Sequence, residues 1–260
     1  MMRIALVIEY DGSGFCGWQA QAGVRTVQEV VEAALSRVAD HPVRVHCAGR
    51  TDTGVHATAQ VAHFDTDAVR DMRSWVLGAN ANLPDDVRVL AARPVAADFH
   101  ARFRAVSRQY RYVICNRPVR PAILRDRAAW LHQDLDVPRM QAAATCLVGE
   151  HDFSSFRALA CQAKHPVRTI HRLQVSRSGE FLYIDVLANG FLHHMVRNIA
   201  GTLMAVGRGD RPVEWVAEVL AARDRSVGGV TAPPGGLYLV AVGYPPEYGM
   251  PGRPRLPVFA

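Results

Sequence analysis

The succession of apolar patterns constrains the fold most, because one order of strands and helices occurs twice along the chain. In the first copy, an apolar, β-branched run at residues 3–10 is typical of a buried strand. Further patterns indicate helices at residues 27–38 and near 69–80, and strands at 43–47, 59–64 and 87–92. The order is β-α-β-β-α-β, the split βαβ arrangement of ferredoxin-like folds.

The second half of the chain repeats this order with one additional helix. Its patterns predict strands at 105–114, 169–175, 181–187 and 237–242, and helices at 137–148, 191–206 and 213–222. Two related domains are therefore expected to meet near residues 97–104, without a low-complexity linker. The predicted fold class is α/β of the α+β type: two ferredoxin-like, or RRM-like, domains whose mainly antiparallel sheets flank a central active-site cleft.

A polar connection interrupts the first copy at residues 49–57, where the sequence reads GRTDTGVHA between two strand patterns. Gly49 and Gly54 permit backbone conformations that other residues avoid, and the threonines can hydrogen-bond local backbone groups, so this loop can hold one shape. Polar loops on a sheet commonly carry function. Asp52 alone would suggest a tight turn, but the arginine, hydroxyls and histidine around it favour an active site.

The charge balance favours a polyanionic partner. Arginine and lysine number 30 against 24 acidic residues, which gives a net charge of +6, and Lys164 is the only lysine. Arginine binds phosphate through two hydrogen bonds and stacks on bases, as an RNA-binding surface would favour. A GC-rich genome would produce the same excess of arginine, and composition does not separate these two explanations.

Several classes of protein are not expected. The five cysteines are scattered and form no C-x-x-C pair, which argues against a disulfide framework and a zinc knuckle. No apolar run approaches the roughly 20 residues of a membrane helix, and the N-terminus shows no signal-peptide pattern. We therefore expect a cytoplasmic protein with free thiols. The Pro- and Gly-rich residues 246–260 are expected to form a flexible tail.

Two aromatic features each allow a functional and a structural interpretation. Phe15 and Trp18 lie in a glycine-rich loop, where they form either a stacking platform or part of the core; taken alone, the loop favours the core. Arg108, Tyr110 and Tyr112 share one face of a predicted strand because side chains alternate. That face either resembles sheets that stack RNA bases or holds one core tyrosine and one half-exposed tyrosine.

The helix predicted from Phe191 carries His193 and Arg197 on one face, since residues four apart are neighbours on a helix. Arg197 is then either a basic group able to close onto the first domain or a solvated surface residue. His193 and His194 suggest a metal, but adjacent helical residues diverge and no third ligand has a familiar spacing. No metal site is therefore predicted.

Five segments together resemble the tRNA pseudouridine synthase A (TruA) family. They are the loop at 49–57, YDGSGFCGWQ at 10–19, RQYRY at 108–112, GEHDFSSFR at 149–157 and FLHHMVRN at 191–198. The matches run in order from Tyr10 to Tyr244, nearly the whole chain. Thr53 is a departure, because the family more often has alanine there, and the residues beyond Tyr244 have no recognised counterpart.

The resemblance implies an isomerase that converts uridine to pseudouridine at positions 38, 39 and 40, in the anticodon stem-loop of tRNA, without a cofactor. It makes Asp52 the catalytic carboxylate and Tyr110 the active-site tyrosine. It also places Arg50 and Arg197 near the aspartate. Arg197 is expected to pair with Asp52, and Arg50 to bind the flipped nucleotide or its phosphate. The family further implies a homodimer.

The resemblance also implies two synthase domains, residues 1–103 with the aspartate loop and residues 104–245. Two other functions stay open at this point. A non-catalytic RNA-binding module would explain the charge and the aromatic strand, but it gives no reason for Asp52, because a carboxylate facing phosphates weakens binding. A pseudouridine synthase acting on another RNA is the other alternative, because substrate choice depends on surface shape.

Overall fold

The computed structural model describes residues 1–159, 161, 163–257 and 259 of the chain. These residues form two compact units. Unit 1 contains Met1–Val106 and Tyr238–Pro257, and unit 2 contains Ser107–Leu237 together with Phe259. The chain therefore leaves unit 1 once and returns to it near its C-terminal end.

Unit 1 begins with six elements in the predicted order. They are β1 (Met2–Tyr10), α1 (Val27–Ala39), β2 (His46–Cys47), β3 (His56–Thr66), α2 (Met72–Asn82) and β4 (Val87–Val95). β1 lies between β3 and β4 and is antiparallel to both. β2 is antiparallel to β3, with His46 opposite His63. The strand order β4-β1-β3-β2 confirms the ferredoxin-like topology predicted for this half of the chain.

Unit 2 contains the second succession of strands and helices. Its elements are β5 (Ser107–Asn116), β6 (Ala129–Leu131), α3 (Val137–Ala144), β7 (Gly149–Asp152), β8 (Val167–Ser178), β9 (Phe181–Ala188), α4 (Met195–Gly207) and α5 (Trp215–Ala222). β9 lies between β5 and β8 and is antiparallel to both, β7 is antiparallel to β8, and β6 is parallel to β5. Mainly antiparallel sheets with helices confirm the α+β class.

The final strand, β10 (Leu237–Gly243), forms where the sequence predicts it. From Tyr238 onward it belongs to unit 1, where it is parallel to β3 and Tyr238 lies opposite His56. The compact units therefore differ from the predicted division into residues 1–103 and 104–245. An apolar run identifies a buried strand but does not specify its partner, which explains the difference.

Residues 246–257 follow β10 and also belong to unit 1. The Tyr248 hydroxyl donates to the Asp98 carboxylate at 2.9 Å, and the Arg255 amide donates to the Val240 carbonyl at 2.9 Å. The segment thus contacts Asp98 and strand β10 of unit 1. The predicted flexibility of residues 246–260 stays a prediction.

The sequence patterns do not predict β6 and β7, because strands of 3 and 4 residues are too short to show alternation. α3 ends at Ala144 and continues as a 3-10 turn over Thr145–Leu147, which accounts for the longer helix predicted there. Among the helices of the described residues, none combines the length and apolar character needed to cross a membrane.

Candidate active site

Asp52 lies in the turn that leads into β3. The Val55 amide donates to the Asp52 carbonyl at 3.1 Å, and Gly54 has a φ of 77°. A positive φ at the third residue of a turn is the type II arrangement, which strongly favours glycine. The Asp52 side chain is half-buried, whereas that of Arg50, two residues earlier, is exposed.

Residues of β1 and β3 hold this loop in place through hydrogen bonds. The Tyr10 and Thr51 hydroxyls hydrogen-bond at 2.8 Å, and Gln60 Nε2 donates to the Gly49 carbonyl at 2.7 Å. The Ala48 amide donates to the Val61 carbonyl at 2.7 Å. All three contacts hold loop residues just before Asp52, so β1 and β3 fix the backbone that leads to the carboxylate.

The glycine-rich loop at residues 11–18 packs against the aspartate loop. The Trp18 amide donates to the Thr51 carbonyl at 3.0 Å, and the Gly54 amide donates to the Phe15 carbonyl at 3.3 Å. Phe15 and Trp18 are 2% and 1% exposed. The core interpretation of these aromatics is therefore confirmed, and the stacking-platform interpretation is wrong, because both rings are covered.

Two glycines make this close packing possible. A Cβ on Gly12 would lie 2.0 Å from the Val55 carbonyl oxygen. A Cβ on Gly17, which has a φ of 83°, would lie 2.7 Å from the Thr51 carbonyl oxygen. Real side chains do not approach backbone this closely, so only glycine lets the two loops touch.

The start of α1 also depends on the glycine-rich loop. Thr26 is the N-cap residue, but its side chain makes no capping hydrogen bond and its hydroxyl is buried without a partner among the described residues. Instead, the Val27 and Gln28 amides donate to the Gly17 and Trp18 carbonyls at 3.2 and 2.9 Å. The sequence of residues 26–29, TVQE, is the pattern of a capping box, but the box does not form, because loop carbonyls already accept from the amides of the helix N-terminus.

A buried histidine follows the aspartate loop. His56 Nδ1 lies 3.0 Å from the Gly12 amide nitrogen and 3.2 Å from an Asp11 carboxylate oxygen. The imidazole stacks on Tyr238 of β10, with ring centroids 4.7 Å apart. The contact with the imidazole, together with hydrogen bonds from Ser13, holds the pKa of Asp11 well below its usual range. This cluster ties the end of β1 to the start of β3.

Arg50 carries the positive charge of the loop in unit 1. Burial raises the pKa of the Cys47 thiol to about 12, while the guanidinium groups of Arg50 and Arg102 oppose that rise. Both arginines therefore lie close to the end of β2. The two predicted site residues of unit 1, Arg50 and Asp52, thus share one loop with ordered backbone on both sides.

Tyr110 lies on β5 of unit 2, opposite Val186 of β9. Its ring meets that of Phe191 edge to face, with centroids 5.1 Å apart, and the residue is 8% exposed. Tyr112 is fully buried, its hydroxyl donates to the Pro233 carbonyl at 2.9 Å, and burial raises its pKa. Tyr112 is therefore a core residue, whereas Tyr110 is largely covered by its neighbours and its role at the substrate stays a prediction.

The segment before α4 differs from the prediction. α4 begins at Met195, four residues after Phe191, and His194 has a left-handed backbone with a φ of 62°. His193 is consequently not in the helix and shares no helical face with Arg197. The His193 and His194 rings do not diverge but lie together, with centroids 4.1 Å apart and the ring planes tilted by 41°. Because His194 has a left-handed backbone, its side chain does not point away from that of His193 as it would in a helix.

Arg197 lies in the first turn of α4 and is attached to a neighbouring loop. Its Nε donates to the Ala232 carbonyl at 2.8 Å, and the Ala232 amide donates to the Arg197 carbonyl at 3.1 Å. This reciprocal pair fixes the direction of the guanidinium group. The Arg197 charge acts on the neighbouring Tyr112, whose pKa it lowers against the larger effect of burial.

A polar network beneath Arg197 anchors the same loop. The Asn198 side chain donates to the Phe156 carbonyl at 2.7 Å and accepts from the Thr231 hydroxyl at 2.6 Å and from Arg225 at 3.1 Å. Asn198 is 1% exposed. A buried amide that makes three hydrogen bonds fixes the loop at residues 225–232 to the helix.

Sequence reasoning missed the supporting residues Gln60, Asn198 and Arg225. The signal for Gln60 is a polar side chain at a fully buried position within an apolar strand pattern. Asn198 gives a similar signal, because it follows Arg197 in an otherwise apolar helix. No local pattern indicates Arg225, since its partner Asn198 lies 27 residues away in sequence.

Comparison with known proteins identifies the family. The model of the tRNA pseudouridine synthase family matches residues 6–104 and 143–245. The chain belongs to the tRNA pseudouridine synthase family. A tRNA pseudouridine synthase A from Methylococcus capsulatus is 62% identical over 249 residues, which cover 96% of this chain and 92% of the relative.

Other relatives of this family are similarly close. The tRNA pseudouridine synthase A of Nitrosococcus oceani is 61% identical, with 98% of each chain covered. That of Pseudomonas aeruginosa is 58% identical, with 96% of this chain and 88% of the relative covered. As a pseudouridine synthase, the chain is an isomerase.

Proposed function

We propose that this synthase isomerises uridine to pseudouridine at positions 38, 39 and 40 of the anticodon stem-loop of tRNA, in the cytoplasm, as a homodimer. The observation that carries the proposal is the position of Asp52 in the family loop, on a backbone held by Tyr10, Gln60 and the glycine-rich loop. Such a backbone presents a carboxylate in one orientation, as a reaction on a single nucleotide requires.

The reaction rearranges one nucleoside without net change in composition. The bond between N1 and C1′ breaks, the uracil turns, and C5 bonds to C1′; C5 then loses its proton and N1 gains one. The ionised Asp52 carboxylate acts on the ribose, either as a nucleophile or as a base. Both routes need the charged carboxylate and give the same product.

Arg197 and Arg50 are assigned different roles. A neighbouring guanidinium favours the charged form of a carboxylate in a partly closed site, and we assign this role to Arg197, whose Nε is already fixed by Ala232. Arg50 is exposed and lies in the Asp52 loop, which suits a contact with the flipped nucleotide or its phosphate. Substitution of Arg197 should therefore affect turnover more than tRNA binding, and substitution of Arg50 should affect tRNA binding more than turnover.

Tyr110 is assigned to the target base. A uridine must leave the stack before its base can turn, which costs a few kcal/mol. Stacking on an aromatic ring recovers roughly 1 to 3 kcal/mol. The Tyr110 ring is held edge to face by Phe191, so its orientation is set before substrate arrives. Its hydroxyl is suited to help move the C5 proton.

The proposal is tested with purified protein and unmodified tRNA transcripts that carry uridine at 38, 39 or 40. Pseudouridine is located at single-nucleotide resolution for the wild type, Asp52→Asn and the control Asp134→Asn, which alters an exposed carboxylate of unit 2. We expect product with the wild type and the control only, and tRNA affinity of Asp52→Asn within a few-fold of the wild type.

Two results would contradict this assignment. Normal turnover by Asp52→Asn would remove the aspartate from the reaction. If no protein forms product and all bind tRNA, the non-catalytic RNA-binding module becomes the better explanation. Sedimentation of the same samples at micromolar concentration tests the homodimer, which predicts twice the mass of one chain.

A further inference from the structure

An exposed aromatic ring lies on a rigid turn of unit 1, outside the aspartate loop. Phe103 is 74% exposed, although its neighbours Phe99 and Ala101 are fully buried. The turn is closed by the Arg104 amide, which donates to the His100 carbonyl at 2.9 Å. His100 Nδ1 also accepts from the Phe103 amide at 3.3 Å. The ring is therefore displayed by an ordered backbone and contributes little to the core.

The surroundings of this ring are aromatic and basic. The His100 imidazole lies against Phe103, with centroids 4.3 Å apart, and His46 lies 5.5 Å from His100. The Arg102 guanidinium carbon is 5.7 Å from the Phe103 centroid, within the range of a cation–π contact. We call Phe103, Arg102, His100 and His46 the Phe103 patch.

The Phe103 patch adjoins the aspartate loop. Arg102 of the patch and Arg50 of the loop both act on the Cys47 thiol at the end of β2. Nearby acidic groups are paired: Asp98 with Arg104 at 3.0 Å, and Asp65 with Arg3 at 2.7 Å. The surface between the patch and the loop therefore carries the positive charge of the two arginines beside an exposed ring. Proteins that bind nucleic acid strands combine such features, because the charge attracts the phosphates and the ring stacks on a base.

We infer that the Phe103 patch binds a nucleotide of the substrate tRNA other than the target uridine. One base stacks on the outer face of Phe103, and Arg102 contacts the phosphate next to it. The inference rests on the proposed function, because the substrate of the aspartate loop supplies the strand. Stacking on an exposed ring tolerates any base, so the patch adds affinity and register but little sequence preference.

The first test compares tRNA binding and turnover by Phe103→Ala with those of the wild type. We expect an affinity about 10-fold lower, with unchanged turnover at saturating tRNA. Phe103→Trp should keep wild-type affinity, because it retains a stacking surface. Phe103→Leu should behave like the alanine variant, because it keeps the apolar bulk without an aromatic face. The matched control is Val69→Ala, an 87% exposed apolar residue of unit 1.

The second test addresses the phosphate contact. Affinity of Arg102→Gln is measured across a range of salt concentrations, and loss of one phosphate contact should reduce the slope of log affinity against log salt by about 1. A slope equal to that of the wild type would overturn the role of Arg102. A wild-type affinity for Phe103→Ala would overturn the role of the ring.

An alternative partner for the exposed Phe103 ring is a second copy of the chain. If Phe103→Ala converts a dimer to a monomer in sedimentation, the patch is a subunit interface and the inference is wrong. This result differs from the one expected if the proposed function is wrong. In that case the wild type would form no pseudouridine, but the Phe103 and Arg102 variants would still change tRNA affinity as expected.

Discussion

The Asp52 loop of unit 1 and the Arg197 segment of unit 2 are held in place by different means. The Asp52 loop lies against backbone, and the contact exists because Gly12 and Gly17 carry no Cβ. Arg197 lies on a helix whose neighbouring loop is attached by side-chain hydrogen bonds from Asn198. The first arrangement is sensitive to added volume and the second to lost polar groups, so the two respond to different substitutions.

The largest expected effect comes from adding one methyl group to the glycine-rich loop. In Gly12→Ala the new Cβ would overlap the Val55 carbonyl, so the two loops must separate. We expect a loss of about 3 kcal/mol in the free energy of unfolding and loss of pseudouridine formation. Urea unfolding and the transcript assay measure the two effects.

Gly14→Ala is the matched control for this substitution. Its Cβ would meet the ends of the Arg25 and Asp86 side chains, at 3.1 and 3.7 Å, and no backbone. Equal destabilisation by both substitutions would mean that the loop responds to any change and that the contact with Val55 has no special role.

The comparison also predicts a difference in response to acid. Burial, with the nearby positive charges of His100, Arg3 and His46, lowers the pKa of His63 in β3 to about 4, and Asp65 opposes this only weakly. The unfolded chain therefore binds more protons than the folded chain between pH 6.5 and 4. The contribution of the neutral His63 to the free energy of unfolding is fully present above pH 6.5. It is lost as the pH drops towards 4, which lowers the free energy of unfolding by a few kcal/mol at most.

Hydrogen exchange across this pH range locates the effect. After correction for the intrinsic pH dependence of exchange, amides of β3 should lose protection as the pH falls. His63→Gln should flatten that dependence. The network around Asn198 consists of amide, hydroxyl and guanidinium groups, which do not titrate in this range. A similar loss of protection in α4 would contradict the assignment to unit 1.

A smaller effect is expected from Asn198→Ala. The substitution removes one hydrogen bond each from the Arg225 guanidinium, the Thr231 hydroxyl and the Phe156 carbonyl, at a cost of about 2 kcal/mol. The loop that carries Ala232 would then hold Arg197 less firmly, so turnover should fall more than tRNA affinity. Urea unfolding and steady-state kinetics measure these changes.

Asn82→Ala is the control for this prediction, since Asn82 is an exposed asparagine at the end of α2. It should cost well under 1 kcal/mol, as exposed substitutions usually do. If Asn198→Ala reduces stability without any effect on turnover, the network supports the fold of unit 2 alone.

The sequence predicts elements well where apolar spacing repeats over many residues, as in β3 and α2. It does not predict the start of α4, because Leu192 and His193 are compatible with a helix until His194 adopts a left-handed backbone. The capping-box pattern at Thr26 is misleading for a related reason, since the first helical amides bond the Gly17 and Trp18 carbonyls of the preceding loop instead. Local patterns cannot describe partners brought together by tertiary contacts.

In the candidate site, too, the features set by local sequence are predictable and those set by tertiary contacts are not. The polar loop around Asp52 is recognisable from residue types alone, because charged and hydroxyl side chains interrupt two strands. The aromatic strand was interpreted less well: Tyr112 proved to be core, because its hydroxyl finds a partner in Pro233, on a loop that the strand pattern does not contain. The interpretation of such residues depends on what covers them.

The pairing of Tyr238 with His56 has a consequence for biosynthesis. At about 5–20 residues per second, β10 leaves the ribosome roughly 10 to 40 seconds after β3. During that interval the nascent chain lacks the strand that lies beside the start of β3, directly after the aspartate loop. The sheet beside the aspartate loop is therefore incomplete until β10 has been synthesised, and premature termination anywhere before β10 yields a chain without that support.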